Sequence, residues 1–311
     1  MPATRMLRLA VMAIGLFASG SYAAAQEAPR NPLAPSGERG SPDASEGTER
    51  EAPETETEPR EEEARSPFED PVETDRDAFT PSTKTTPVNR WILESSYSFI
   101  DNRGAPDTNS FPETLLRYGL NRYLELRLGW NNEVGGGGNV VSGNSGEAAE
   151  GVDTSSLTRE QRLLYGIKAS LTKQESWLPD SILIVTGVTP TGGDATATQL
   201  RTDFAFGWRL PNRWRLDSAL AFTTDSDNGN RFEVWAPSSV LRMPLTERFQ
   251  IHSEFFGQFS QDRAGNFNRI FFSPGMHYLV TPNLELGLRV GWGLNEQTAR
   301  FFSNVGFGWR F

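Results

Sequence analysis

Apolar and polar residues alternate along most of the chain beyond Val88. The last eleven residues, FFSNVGFGWRF, place Phe301, Ser303, Val305, Phe307, Trp309 and Phe311 at every second position, with Asn304, Gly306, Gly308 and Arg310 between them. In a strand, residues two apart share a face, so this segment reads as amphipathic β structure and not as helix. LELRLGW repeats the pattern, with Leu124, Leu126, Leu128 and Trp130 opposite Glu125, Arg127 and Gly129. LELGLRVGWGL does the same with Leu284, Leu286, Leu288, Val290 and Trp292. Around FAFGWRLPNRWRLDSALAF, the residues Phe204, Phe206, Trp208, Leu216, Leu220 and Phe222 fall together, opposite Asp203, Arg209, Arg215 and Asp217.

The pattern predicts twelve strands, over 88–101, 110–120, 123–132, 161–171, 181–190, 198–210, 214–224, 231–243, 248–260, 267–280, 284–294 and 299–311. Pro237 and Pro274 fall inside the eighth and tenth, where a bulge is expected to absorb the missing donor. The fifth, SILIVTGVTP, is apolar on both faces, so a count of ten stays open beside twelve. Strands of this length exceed the usual five or six residues of soluble sandwiches and suit a bilayer crossing of about 9 to 11. Tight turns such as GLNRY, LPNRW and VTPNL alternate with longer loops such as DNRGAPDTN, TPTGGDAT and the Gly-rich stretch from Glu133 to Glu160. Trp91, Trp130, Trp208, Trp214, Trp292 and Trp309 sit near strand ends, as interfacial girdles do. A soluble sandwich alternates too, but has no reason to follow these rules. The expected fold is all-β: a transmembrane antiparallel up-and-down barrel, with both termini on the short-turn, periplasmic rim.

The first 25 residues change the picture of location. Arg5 and Arg8 precede the apolar run LAVMAIGLFA and the small-residue site YAAAQ, which reads as a secretory signal peptide over 1–25. Residues 26–87 then hold 17 acidic against 7 basic residues, whereas 88–311 hold 23 against 21. This Pro- and Glu-rich stretch is too poor in apolar residues to offset the entropy of ordering, so 26–87 is expected to be a disordered periplasmic linker and 88–311 the barrel in the cell outer membrane. The chain has no cysteine, which removes a disulfide framework, a thiolate nucleophile and a thiolate metal site together.

With the rings facing lipid, the opposite face lines a lumen. Its candidate pore-lining residues are Arg117, Glu125, Arg127, Lys168, Arg201, Asp203, Arg209, Arg215, Asp217, His252, Glu254, Glu285, Arg289 and Arg310, with Glu94 on the same face. The signs nearly balance. A three-residue turn centred on Asn121 is expected to set Arg117 directly across from Glu125. These charges either brace the interior or form a mixed-sign ladder for a polar solute. Inward glycines, among them Gly119, Gly275, Gly306 and Gly308, either leave volume for a narrow pore or relieve curvature.

Other chemistry finds little support. A barrel hydrolase needs a serine beside a histidine on one face. Ser253 is adjacent to His252 and points the other way, while a cross-strand contact from Ser239 to His252, oriented by Glu254, rests on turn length alone. The two histidines, His252 and His277, lie on separate strands without cysteine, which argues against a transition-metal site. VGGGGNVVSG lacks the Lys-Ser/Thr sequel and helix of a phosphate cradle, reads as a flexible surface loop, and implies no cofactor. No basic patch suggests nucleic acid.

ETDRDAFTPSTKTTPVNRWILESSYSF resembles the start of the barrel in the outer-membrane transporter family linked to meta-pathway phenol degradation. PETLLRYGLNRYLELRLGW and the aromatic C-terminus are similar to the same family, over residues 73 to 311; RDAFT departs from it by lacking the Pro and Asp expected after Arg76. The resemblance implies an outer-membrane channel-like protein associated with hydrophobic or aromatic solutes. The expected function is a non-enzymatic channel passing small solutes through a narrow lumen, the alternative being a structural or surface-interaction barrel with a closed one. Its partners would be outer-membrane lipid, the solute, and the barrel-assembly machinery acting on the strand that ends at Phe311.

Overall fold

The computed structural model describes residues 70–136, 141–142, 157–193, 197–227, 230–261 and 266–311. The expected signal peptide and residues 26–69 of the expected linker lie outside the described residues. The described residues form twelve strands: β1 (Trp91–Asp101), β2 (Thr108–Gly119), β3 (Leu124–Gly135), β4 (Thr158–Thr172), β5 (Asp180–Gly192), β6 (Gln199–Arg209), β7 (Arg215–Asp227), β8 (Asn230–Pro244), β9 (Phe249–Gln261), β10 (Asn266–Thr281), β11 (Leu284–Gly293) and β12 (Phe301–Arg310). Each pairs antiparallel with the next, and β1 pairs with β12 to close the barrel. The seam ends in two reciprocal backbone bonds of 3.0 Å between Trp91 and Phe311. Closure leaves no open edge, the condition for β structure in hydrocarbon.

The period-two pattern sets the two faces. Leu126, Leu128, Tyr165, Ile167, Leu286, Leu288, Val305 and Phe307 are exposed on the outside, while their neighbours Glu125, Arg127, Lys168, Glu285 and Arg289 are buried inside. Apolar exposure of this kind runs around the whole barrel, far more than a water-soluble surface carries, and marks the lipid-facing belt of an outer-membrane barrel. Paired rings border it on both sides. Trp91 packs on Tyr118 at 4.4 Å and Trp309 on Phe311 at 4.9 Å near the short turns. Toward the long loops, Phe222 meets Trp235 at 4.7 Å and Trp292 meets Phe301 at 6.1 Å.

Three expectations are corrected in detail. Opposite Arg117 stands Arg127, not Glu125, because the hairpin turns about Arg122: Leu120 pairs with Leu124, and the Asn121 side-chain oxygen accepts the N–H groups of Tyr123 and Leu124. No bulge forms at Pro237 or Pro274. Pairing lapses there, between Ser238 and Trp235 toward β9 and between Phe272 and Gly275 toward β11, and resumes in the same register. Beside Pro274 the Ser273 hydroxyl donates to the Val290 carbonyl at 2.9 Å, supplying the hydrogen bond that proline cannot. Most consequentially, residues 72–86 of the expected linker are packed inside the barrel, with Asp75, Phe79 and Thr80 fully buried.

Candidate functional site

The segment 70–87 runs into the lumen from the short-turn rim and returns to it. At the rim, the Val72 N–H donates to Pro282 O at 3.0 Å in the β10–β11 turn, and the Asn89 N–H donates to Gly119 O at 2.8 Å at the end of β2. At its far point, Phe79 stacks on Phe256 of β9, with ring centroids 4.4 Å apart and planes within 8°. Among the residues 70–87 there is no helix or strand, so buried backbone N–H groups need other acceptors.

Three wall carboxylates supply them. Glu94 of β1 accepts the N–H groups of Asp75 and Arg76 at 3.0 and 3.1 Å. Glu254 of β9 accepts those of Phe79 and Thr80 at 2.9 and 2.7 Å, with the Thr80 hydroxyl at 2.8 Å. Glu125 of β3 accepts the Thr86 N–H and hydroxyl at 2.7 and 2.9 Å. Each carboxylate is also bound by an arginine: Arg117 Nη1 reaches Glu94 at 2.8 Å, Arg289 reaches Glu254 at 3.1 Å, and Arg117 grips Glu125 through Nε and Nη2 at 2.9 Å each. A buried carboxylate shared between a guanidinium and two amides has its lone pairs filled, which is what makes its desolvation tolerable.

The segment's own charges complete the network. Asp75 receives Arg127 Nη1 at 2.6 Å and Lys168 Nζ at 2.9 Å, and accepts the Ser82 N–H at 3.0 Å. Burial alone would raise its carboxyl, but Arg117, Lys168 and Arg127 outweigh burial and hold it well below the usual carboxylate range. Arg76 donates to Glu113 of β2 at 2.5 Å and to Ser96 at 3.1 Å. Asp77 lies 3.3 Å from His277 Nε2 and 3.7 Å from Arg242. Burial pushes the Asp77 carboxyl up, and Arg242 and His277 only partly offset it. Inward glycines give the segment its room. A Cβ on Gly308 would lie 2.1 Å from Thr74 Cγ2, and one on Gly119 2.1 Å from the Pro87 carbonyl oxygen. The volume left by these two glycines is therefore occupied.

Farther in, the lumen turns apolar. Phe79, Ile100, Phe256, Phe267, Phe271 and Phe302 form a buried cluster with Val141. Phe256 and Phe271 stack at 4.7 Å, and Phe302 meets Phe271 edge-on at 6.0 Å. Val141 belongs to the Gly-rich loop expected to stay on the surface, yet it and Ser142 are fully buried, and Arg289 donates to the Val141 carbonyl at 2.5 Å. At the short-turn mouth, between the segment and the wall from β6 to β11, a cavity of about 310 Å³ remains, bordered by Glu73, Asp77, Arg215, Arg242, His277 and Glu285.

Twelve of the fourteen sequence-predicted residues contribute to the interior. Arg117, Glu125, Arg127 and Lys168 surround Asp75, and Glu254 and Arg289 hold the tip. Arg201 pairs with Asp203 at 2.7 Å; Arg215 pairs with Asp217 at 3.0 Å, and Arg242 reaches the same Asp217 at 2.6 Å. His252 and Glu285 flank His277. Arg209 and Arg310 sit at the short-turn rim instead, Arg209 on Gln174 and Arg310 on Asn283 and Asp70. The serine contact fails: Ser239 stands opposite Phe255 and bonds Ser218 at 3.0 Å, while Arg242 faces His252. The two histidines lie on separate strands as expected, but these strands are neighbours and bring His252 Nδ1 to 2.7 Å from His277 Nε2.

Sequence reasoning missed Asp75, Arg76, Asp77 and Phe79, which it assigned to the linker, and Glu113, Arg242 and His277 on the wall. Glu113 shares the parity of Arg117, so strict alternation could have found it. His277 shares its face with Phe267, Phe271 and Leu279, where the rule of rings outward misleads.

No curated protein matches the chain. Among solved structures, an outer membrane channel from Pseudomonas putida F1 is 16% identical, with a TM-score of 0.49, over 74% of this chain and 98% of that one. The translocator domain of the autotransporter NalP from Neisseria meningitidis is 11% identical, with a TM-score of 0.44, over 73% and 90%. The KdgM porin is 10% identical, with a TM-score of 0.42, over 71% and 99%. A family-level match spans residues 74–311, starting inside the luminal segment and ending on the last residue of the barrel. With most of the segment and all twelve strands inside that match, the chain belongs to the family described as the MetA-pathway of phenol degradation.

Proposed function

We propose that this barrel is a channel for small hydrophobic or aromatic solutes, closed at rest by residues 70–87 and opened when that segment moves. The observation that carries this reading is how the segment is held. It enters and leaves by one rim, is fixed by hydrogen bonds and ion pairs, and takes no part in the β1–β12 seam, so withdrawing it breaks no strand pairing. Beyond it lies a packed cluster of rings, Phe256, Phe271 and Phe302, and withdrawal of Phe79 from its stack on Phe256 would open an apolar surface suited to an aromatic guest. The charged positions predicted to line the pore become its wall once the segment leaves. Their mixed signs favour weak ion preference over strong selectivity. The stretch 26–69, read from the sequence as periplasmic, would serve as the handle. Phe311 lies on the lipid side at the end of β12, which suits recognition by assembly machinery.

A second reading, a permanently sealed structural barrel, is favoured by the number of buried bonds on the segment. Planar-bilayer conductance separates the two. The full chain should show little current, and a variant carrying Asp75→Asn with Glu254→Gln should show discrete, larger steps with a reversal potential near zero in a salt gradient. If the loosened variant folds and still passes no current, the sealed barrel is the better description.

A further inference from the structure

We propose that Asp77, His252 and His277 bind one divalent transition-metal ion of the zinc class, which ties the luminal segment to the barrel wall. The donors come from three places in the chain. His252 lies on β9 and His277 on β10, where Gly275 stands opposite His252, so His277 is its diagonal neighbour on the inward face. Asp77 comes from the segment. His277 Nε2 faces both partners, 2.7 Å from His252 Nδ1 and 3.3 Å from Asp77 Oδ2, and all three donor atoms lie within 4.8 Å of one another. Two imidazole nitrogens and one carboxylate oxygen are a donor set that zinc, copper, nickel and ferrous iron accept.

Three further observations point to an ion. His277 Nδ1 stands 3.4 Å from Glu285 Oε1, within ion-pair reach but without the geometry of a hydrogen bond, and the Thr74 hydroxyl holds that oxygen at 2.8 Å. A carboxylate behind a ligand histidine selects the tautomer that aims a lone pair at the metal. Asp77 Oδ1 is buried with no hydrogen-bond partner and is available to join Oδ2 on the ion, whereas His252 Nε2 and His277 Nδ1, also without a hydrogen-bond partner, are the ring nitrogens turned away from it. The His252 ring also lies against Gly275, where a Cβ would come within 2.3 Å of ring carbon Cε1, so the wall is shaped to this imidazole. Bonds of about 2.0 to 2.1 Å in tetrahedral geometry separate ligand atoms by roughly 3.3 Å. The Asp77 to His277 spacing already meets this, the two rings need to part by about half an ångström, and the remaining pair, Asp77 to His252, has to reach the same span from a separation of no more than 4.8 Å. Arg242, the nearest competing cation, is turned to Asp217 at 2.6 Å and stands 3.7 Å from Asp77.

The inference rests on where the segment sits and not on solute transport, so its failure would leave the channel reading intact. The test uses untagged full-length protein in detergent, stripped with a chelator and dialysed against micromolar Zn²⁺, with metal content measured by mass spectrometry. The expected result is one zinc per chain, with affinity lowered more than tenfold in Asp77→Asn, His252→Ala and His277→Ala, and by about 10 to 100-fold in Glu285→Gln. Cobalt substitution should give the visible absorption of a tetrahedral nitrogen and oxygen site. Heat-modifiable gel mobility reports whether each barrel has folded. Asp77 lies outside the strands, so Asp77→Asn decides the matter should the histidine variants misfold. Failure of the stripped protein to take up zinc, or equal uptake by wild type and Asp77→Asn, would overturn the proposal.

Discussion

At the scale of single residues, Asp75 is the centre of the luminal network. Its carboxylate answers Arg117, Arg127 and Lys168, three buried cations. Asp75→Asn leaves them with too little negative charge, and removing one partner of a buried ion pair costs about 3 to 5 kcal/mol. The loss should appear as faster proteolysis of the segment in folded protein, with the barrel itself intact. The pH response has a defined sign. A carboxyl held below its ordinary value contributes stability that is present above that value and lost only as pH falls through the lower, folded-state value. Asp75 should therefore keep the segment seated from neutral pH down to about 3.9, the ordinary aspartate value, and release should begin below it. Segment proteolysis across this range checks this; release near pH 5 would contradict it. Phe79→Ala removes the stack on Phe256 and should weaken docking by about 3 to 5 kcal/mol, read by the same assay.

At the scale of elements, the strands are held by local rules and the segment by distant ones. Alternation and turn chemistry placed the strands, and the observed ends of all twelve lie within three residues of the predicted ones. The exceptions are instructive. The β2–β3 hairpin shifted because Asn121 captures two backbone N–H groups, a side-chain effect that turn length alone does not reveal. The segment 70–87 was misread because its composition is that of a solvated chain. Asp75, Arg76 and Asp77 look like surface residues until Arg127, Glu113 and Arg242, 37 to 165 positions away, are brought to them. Gly308→Val tests this coupling from the wall side. The new side chain would occupy the place of Thr74, so the segment should loosen and conductance rise, while β12 keeps its register with β1 and β11.

At the scale of the whole molecule, one surface faces lipid and the other encloses charge. Spin labels at Leu126 and Leu288 should report a hydrocarbon environment with high oxygen and low water-soluble-relaxant accessibility; an aqueous signal at both would remove the basis for a membrane barrel. The sequence by itself determined that ten to twelve long strands alternate in face and are joined by short turns on one rim, and hence a closed antiparallel barrel in the outer membrane. These follow from a period of two and from turn residues, which act over a few positions. Only the tertiary structure decided that the lumen is filled, that its charges are answered by the chain's own N-terminal segment, and that two histidines 25 positions apart meet an aspartate from that segment. Those outcomes depend on which buried charges find partners once the barrel closes. Desolvation makes an unpaired interior charge too costly to leave, and no local pattern records which distant residue will answer it.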